Sequence, residues 1–198
     1  MSYGYLGGTA IGIKTDEYVV LASDKMYIAG NLAFSNEVRK LYKIVDKTYL
    51  AAAGLIADMQ GLVRNIRYVI GTRKVDLGRE LGIKPIAKLV SVILYSNKTF
   101  PYYTQLLVGG VDNEPKLFSL DSLGSIMADK YVAIGSGAET AIGIIESRYD
   151  SITDLASLEE LVMDVFKSVA KRDVLTGYSI DTVYISKDEA VEKTINLL

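Results

Sequence analysis

The run Tyr18-Val19-Val20-Leu21-Ala22 is apolar at every position before it ends in Ser23-Asp24. Successive side chains of a strand point to opposite faces, so a strand with no polar face has to be covered on both. It belongs in the middle of a layered structure. A first strand is expected over 9–15, joined to it at Asp16-Glu17, and strands over 42–45 and 49–53 continue the β-rich part with Asp46-Lys47 as their turn.

From Leu55 the apolar period changes. Leu55, Met59, Leu62, Ile66 and Val69 step by three and four, which predicts a helix ending near Gly71. A second helix opens at Pro85 and carries Ile86, Leu89, Val90, Ile93 and Leu94 on one side. Strands return over 104–109 and 116–120, separated by the turn-forming stretch from Gly110 to Pro115, and again over 131–134. Ser136 with Glu139, and Ser157 with Glu160, have capping-box spacing and predict the heads of two more helices. The second of these carries Leu158, Leu161, Val162, Val165, Phe166 and Val169 and is expected to stop around Asp173. A strand over 180–186 closes the pattern, and the charged tail from Lys187 reads as exposed. Two sheets face to face with a helix pair outside each would bury every one of these stripes, an α+β, four-layer αββα sandwich.

At 198 residues a single domain, 1–198, accounts for the chain, with about 70% of its unfolded surface buried on folding. The net charge of -2 supplies no basic footprint, so nucleic acid is not expected as a partner. No apolar run has membrane-spanning length, and residues 1–6 have neither the basic start nor the apolar core of a signal peptide, so a cytoplasmic location is expected. The chain has no cysteine and no histidine. The missing histidine excludes Ser-His-Asp and Cys-His arrangements and histidine-ligated metals; no metal or cofactor is expected, and a hydrolytic base would have to be a lysine or a terminal amine.

One stretch suits that chemistry. Gly7-Gly8-Thr9-Ala10-Ile11-Gly12 places a threonine after two glycines near the chain start, with Asp24 and Lys40 downstream. In an enzyme that uses its N-terminal residue as nucleophile, the hydroxyl attacks a carbonyl while the free α-amine, titrating at roughly 7.7 to 8.0, takes the proton. Taken by themselves, Asp24 reads better as a turn residue and Lys40 as a surface lysine, and Ser136 is fully explained as a helix cap. Asp173 fits its place less easily, because an acid in the last turn of a helix opposes the helix dipole.

Gly12, Asp24 and Lys40, Ala53-Gly54, the segment from Leu106 to Asp112 with Pro115, Asp121, Gly124-Ser125, Gly135-Ser136-Gly137, Arg172-Asp173, Thr176-Gly177 and Ile180-Asp181 together resemble the proteasome β-type subunits, over almost the whole chain. The resemblance implies the Ntn-hydrolase fold, with two antiparallel sheets between helix pairs, and the breakdown of proteins to peptides by a threonine endopeptidase complex. Asp24 and Lys40 would form a buried pair beside the nucleophile, the lysine lowering the proton affinity of the terminal amine. The Gly54 amide would stabilise the oxyanion, and Ser136, Asp173 and Thr176 would orient the amine and a water. Tyr27, Ala29, Val38, Ala52 and Ile56 would line the substrate pocket. Implied partners are α-type subunits and a second, active β-type subunit in stacked seven-membered rings, with protein and peptide substrates.

The match also carries a departure. With Gly12, Asp24 and Lys40 aligned, the family's nucleophile position falls on Gly8, and Thr9 is one residue late. One residue along a strand is about 3.3 Å and a change of face, so the Thr9 hydroxyl is expected to point away from Lys40. Two readings follow: a subunit whose own site is impaired, or an active one in which residues 1–8 are a short propeptide, cleavage after Gly8 frees the Thr9 amine, and a bulge near Gly12 restores the register.

Overall fold

The computed structural model describes residues 7–197. The part of the expected propeptide over 1–6, and the leader reading made on the same residues, lie outside the described residues. Strands β1 (Thr9–Lys14) and β2 (Val19–Asp24) form the expected hairpin, its turn closed by Thr15 Oγ1, which accepts from the Tyr18 amide at 3.0 Å. After them come β3 (Tyr27–Ala29), β4 (Leu32–Ser35), β5 (Leu41–Val45) and β6 (Thr48–Gly54), then helices α1 (Ile56–Leu77) and α2 (Ile83–Ser96). The second half runs β7 (Thr104–Val111), β8 (Pro115–Leu120), β9 (Ile126–Ala128), β10 (Tyr131–Gly135), α3 (Ala138–Arg148), α4 (Leu155–Ala170), β11 (Ser179–Ile185) and β12 (Ala190–Asn196).

Two five-stranded antiparallel sheets result, ordered β10-β1-β2-β11-β12 and β5-β6-β7-β8-β9, with β3 and β4 forming a separate hairpin. Strand alternation divides the apolar residues among three layers. Ile11, Ile13 and Val20 pack against Val162 and Phe166 of α4, whereas Ala10, Val19 and Leu21, one residue out of phase, face the other sheet and meet Ala51, Leu107 and Leu117. On the far side Leu50, Leu106 and Val108 pack against Leu62 and Ile66 of α1 and Val90 of α2. The order helix, sheet, sheet, helix is the αββα sandwich expected from the sequence. β2, the strand with no polar face, is buried at all of its positions.

The sheets approach closely where glycines face across the gap. A Cβ on Gly12 would lie 2.7 Å from Leu117 Cδ1 of the opposite sheet, and one on Gly109 would lie 2.9 Å from Val19 Cγ1. Both glycines make room for a neighbour's branched side chain.

Several boundaries differ from expectation for identifiable reasons. α1 passes through Gly71 and ends at Gly78, which adopts φ 62°; an exposed mid-helix glycine costs about 1 kcal/mol, but a left-handed glycine terminates the ladder. Its buried stripe is Met59, Leu62, Val63, Ile66 and Ile70, in place of one through Leu55 and Val69. Ser136 is not the cap of α3: the N-cap is Gly137, without a side-chain cap, because the Ser136 hydroxyl is bound to Asp173. The box at the head of α4 is Asp154 with Ser157, not Ser157 with Glu160; the Asp154 carboxylate accepts from the Ser157 amide at 2.8 Å. α4 stops at Ala170, before Asp173. The tail beyond Lys187 is not free chain but β12, paired along the whole of β11 while keeping most of its side chains in solvent. The β3–β4 hairpin and β9 had no counterpart in the sequence reading. No helix among the described residues is long and apolar enough to cross a membrane.

Candidate active site

The site forms where the two sheets open at the C-terminal end of β2. Asp24, the last residue of β2, is fully buried and completely saturated. Its Oδ1 accepts from the Thr9 amide at 2.9 Å and from Lys40 Nζ at 2.8 Å, while Oδ2 accepts from the amides of Met26 at 2.9 Å and Gly177 at 3.2 Å. A carboxylate can be kept in a protein interior only with such compensation. Lys40 is 1% exposed and sits just ahead of β5, its carbonyl accepting from the Ala52 amide of β6 at 3.0 Å. The ion pair therefore ties one sheet to the other.

Gly8 lies directly against this pair. Its φ is 95°, in the region that favours glycine, and a Cβ built there would overlap Lys40 Nζ and come 2.7 Å from Asp24 Oδ1. The Lys40 ammonium thus fills the volume that a side chain at position 8 would use. The Gly8 carbonyl accepts from the Ser136 amide at 3.0 Å, fixing this backbone against the loop after β10.

Thr9 faces the other way. Its hydroxyl accepts from the Gly137 amide at 3.0 Å and lies 2.7 Å from Thr176 Oγ1. Thr176 Oγ1 is 2.6 Å from Asp173 Oδ2, and a carboxylate only accepts, so the Thr176 proton goes to Asp173 and the Thr9 proton goes to Thr176. The Ser136 hydroxyl donates to the same Asp173 oxygen at 2.6 Å, and the Leu175 amide donates to the other at 3.1 Å. These bonds account for an acid placed just past the end of α4: it accepts from two hydroxyls and an amide, and reaches the Thr9 hydroxyl through Thr176.

The structure brings Thr9, Asp24, Lys40, Ser136, Asp173 and Thr176 into one connected array with Gly8 at its centre. Gly54 stands at the end of β6 with φ 132°, where a Cβ would run into the Tyr103 carbonyl. Beside it opens a cavity of about 350 Å³, bordered also by Tyr103, Gln105, Ser122 and Ser136. None of the five expected pocket residues lines this cavity. Tyr27 is half-buried in β3, edge-on to Phe34 at 5.8 Å, Ala29 is exposed, and Val38 is half-buried. Ala52 is fully buried in the layer under the helices, and Ile56 packs against that layer. The amides of Met26, Gly137 and Gly177 were not singled out in the sequence as binding groups, although Gly137 and Gly177 lie inside the motifs quoted above. Gln105 had no signal at all.

Comparison with known proteins bears on the family of the chain. The family model described as proteasome subunit matches residues 5–185. The chain is 44% identical over 191 residues to "Proteasome subunit beta 1" of Desulfurococcus amylolyticus, covering 96% of this chain and 95% of that one. It is 39% identical to "Proteasome subunit beta 2" of Caldivirga maquilingensis, with 96% of each covered, and 40% identical to "Proteasome subunit beta 1" of Hyperthermus butylicus, with 96% and 94% covered. Matched over almost its whole length at these identities, the chain belongs to the proteasome subunit family as a β-type member of the archaeal kind.

Proposed function

We propose that this chain is a β-type subunit of the 20S core particle whose own catalytic centre is silent. The particle degrades proteins to peptides, and in this reading the hydrolysis is done by a second β-type subunit that assembles with this chain and with α-type subunits in the cytoplasm. The observation that carries the proposal is the occupancy of position 8. The nucleophile's place holds a glycine, with the Lys40 ammonium where its side chain would begin. The hydroxyl next along the strand is buried, faces the opposite way and already has a donor and an acceptor.

While residues 1–8 remain attached, the Thr9 nitrogen is a peptide amide, which donates to Asp24 and cannot take the proton that a terminal amine would. On this reading Asp24 and Lys40 are kept for joining the sheets, and Ser136, Asp173 and Thr176 for anchoring the segment around Gly8. The Gly54 amide and the residues Tyr27, Ala29, Val38 and Ile56 are assigned to contacts with passing substrate; Ala52, fully buried under the helices, is not.

The test is a Thr9→Ala exchange in the assembled particle, together with the intact mass of this subunit after assembly. Peptide hydrolysis is expected to be unchanged within error, and residues 1–8 are expected to be retained. A fall by orders of magnitude, with the eight residues lost, would establish the alternative: an active threonine endopeptidase freed by cleavage after Gly8.

A further inference from the structure

The cavity beside Gly54 has a polar group in it that nothing above employs. Gln105 projects from β7 at the open mouth between the sheets, and its Oε1 accepts from the Gly135 amide of β10 at 3.1 Å. Because an N–H must meet the oxygen, this bond fixes which way the carboxamide is turned. Nε2 is then the end left over, with two donor hydrogens and no acceptor among the described residues. Ser122 lines the same cavity; it is half-buried, and its hydroxyl also has no partner among the described residues.

The lining contains no charged side chain, and Ala53 and the Tyr103 ring provide its apolar part. A ligand that suits this cavity is uncharged and carries both an acceptor, for Gln105 Nε2, and a donor, for Ser122 Oγ. A carboxamide does both. A carboxylate could accept from both groups but would give up its hydration with no cation to replace it. An aliphatic side chain would leave both groups unpaired.

We propose that the cavity between Gln105 and Ser122 is a subsite for an asparagine or glutamine side chain of an extended peptide. This rests on the reading of the chain as a subunit that meets peptide substrate, and it adds a preference that does not depend on whether this subunit cuts. Gln105 acts here as a specificity residue, oriented by the Gly135 amide.

The experiment uses the full-length chain and fluorescence anisotropy with dye-labelled pentapeptides that differ only at the central residue: glutamine, glutamate, norleucine or lysine. The glutamine peptide is expected to bind about five- to tenfold more tightly than the glutamate and norleucine peptides, the size of one or two hydrogen bonds made or left unpaired. A Gln105→Glu variant keeps an oxygen for the Gly135 amide but replaces the donor with a charge. It is expected to lose the preference for glutamine and to favour the lysine peptide. Ser122→Ala, which touches no bond within the protein, is expected to reduce the glutamine preference severalfold. Equal binding of all four peptides, or variants indistinguishable from the parent, would overturn the subsite and leave the peptide-contact reading standing. Failure of every peptide to bind would overturn both.

Discussion

On the proposed reading, the residue at position 8 decides the chemistry of the site, and its neighbours Lys40 and Asp24 bear on stability. Lys40 and Asp24 are 1% and 0% exposed, so neither charge has water to fall back on. Replacing Lys40 by methionine keeps the volume and removes the counter-charge. Asp24 would retain its three backbone donors from Thr9, Met26 and Gly177. Stranding one member of a buried pair costs roughly 3–5 kcal/mol, and with those donors intact Lys40→Met is expected at the lower end, about 3 kcal/mol, read as a shift in the denaturant midpoint at unchanged slope. The change of face between Gly8 and Thr9 was legible from strand alternation, but the buried Asp24–Lys40 pair was expected only from the family resemblance. The role of Ser136 was not legible: a serine ahead of a glutamate at a helix start satisfies the capping pattern, and only the fold brings Asp173 close enough to claim its hydroxyl.

Among the elements, the contacts between sheets carry a pH dependence. The Tyr49 phenol on β6 donates to Glu192 of β12 at 2.9 Å, spanning the two sheets at the side away from α3. Burial, and then the hydrogen bond to the Glu192 carboxylate, push this phenol up to about 12. In an unfolded chain a tyrosine titrates near 10, so the folded state holds its proton more tightly. The stability this provides is complete below about pH 10 and is lost as pH rises through about 12. Chemical denaturation between pH 9 and 12 is expected to show a falling stability whose slope is reduced in Tyr49→Phe. A residual slope remains, since burial also raises the phenols of Tyr42 and Tyr184.

The elements themselves were legible where apolar periodicity ran long, as in α2, α4 and β2. They were missed where strands were short: β3 and β4 have three and four residues, mostly exposed, and their only signal was Gly30-Asn31 between two small apolar groups. β9, also three residues, is held through its pairing with Phe118, Ser119 and Leu120, a contact that no local pattern encodes.

For the molecule as a whole, β12 matters more than its polar sequence suggests. It pairs with β11 from Ser179↔Asn196 to Ile185↔Ala190, and β11 in turn buries Ile180, Val183, Tyr184 and Ile185. Removing residues 187–198 would uncover the full edge of β11, with its backbone donors and acceptors unmet. The truncated chain is expected to self-associate, seen as a rise in mean mass by light scattering at concentrations where the intact chain scatters as a single species. With β12 present, the rim of that sheet carries Glu192, Lys193 and Thr194 instead, all exposed, with Lys193 drawn onto Glu159 of α4 and Glu192 onto Arg39. Such a border discourages a foreign strand from zipping on. Copies or cousins of this chain packed side by side would then have to meet through surfaces other than this strand edge.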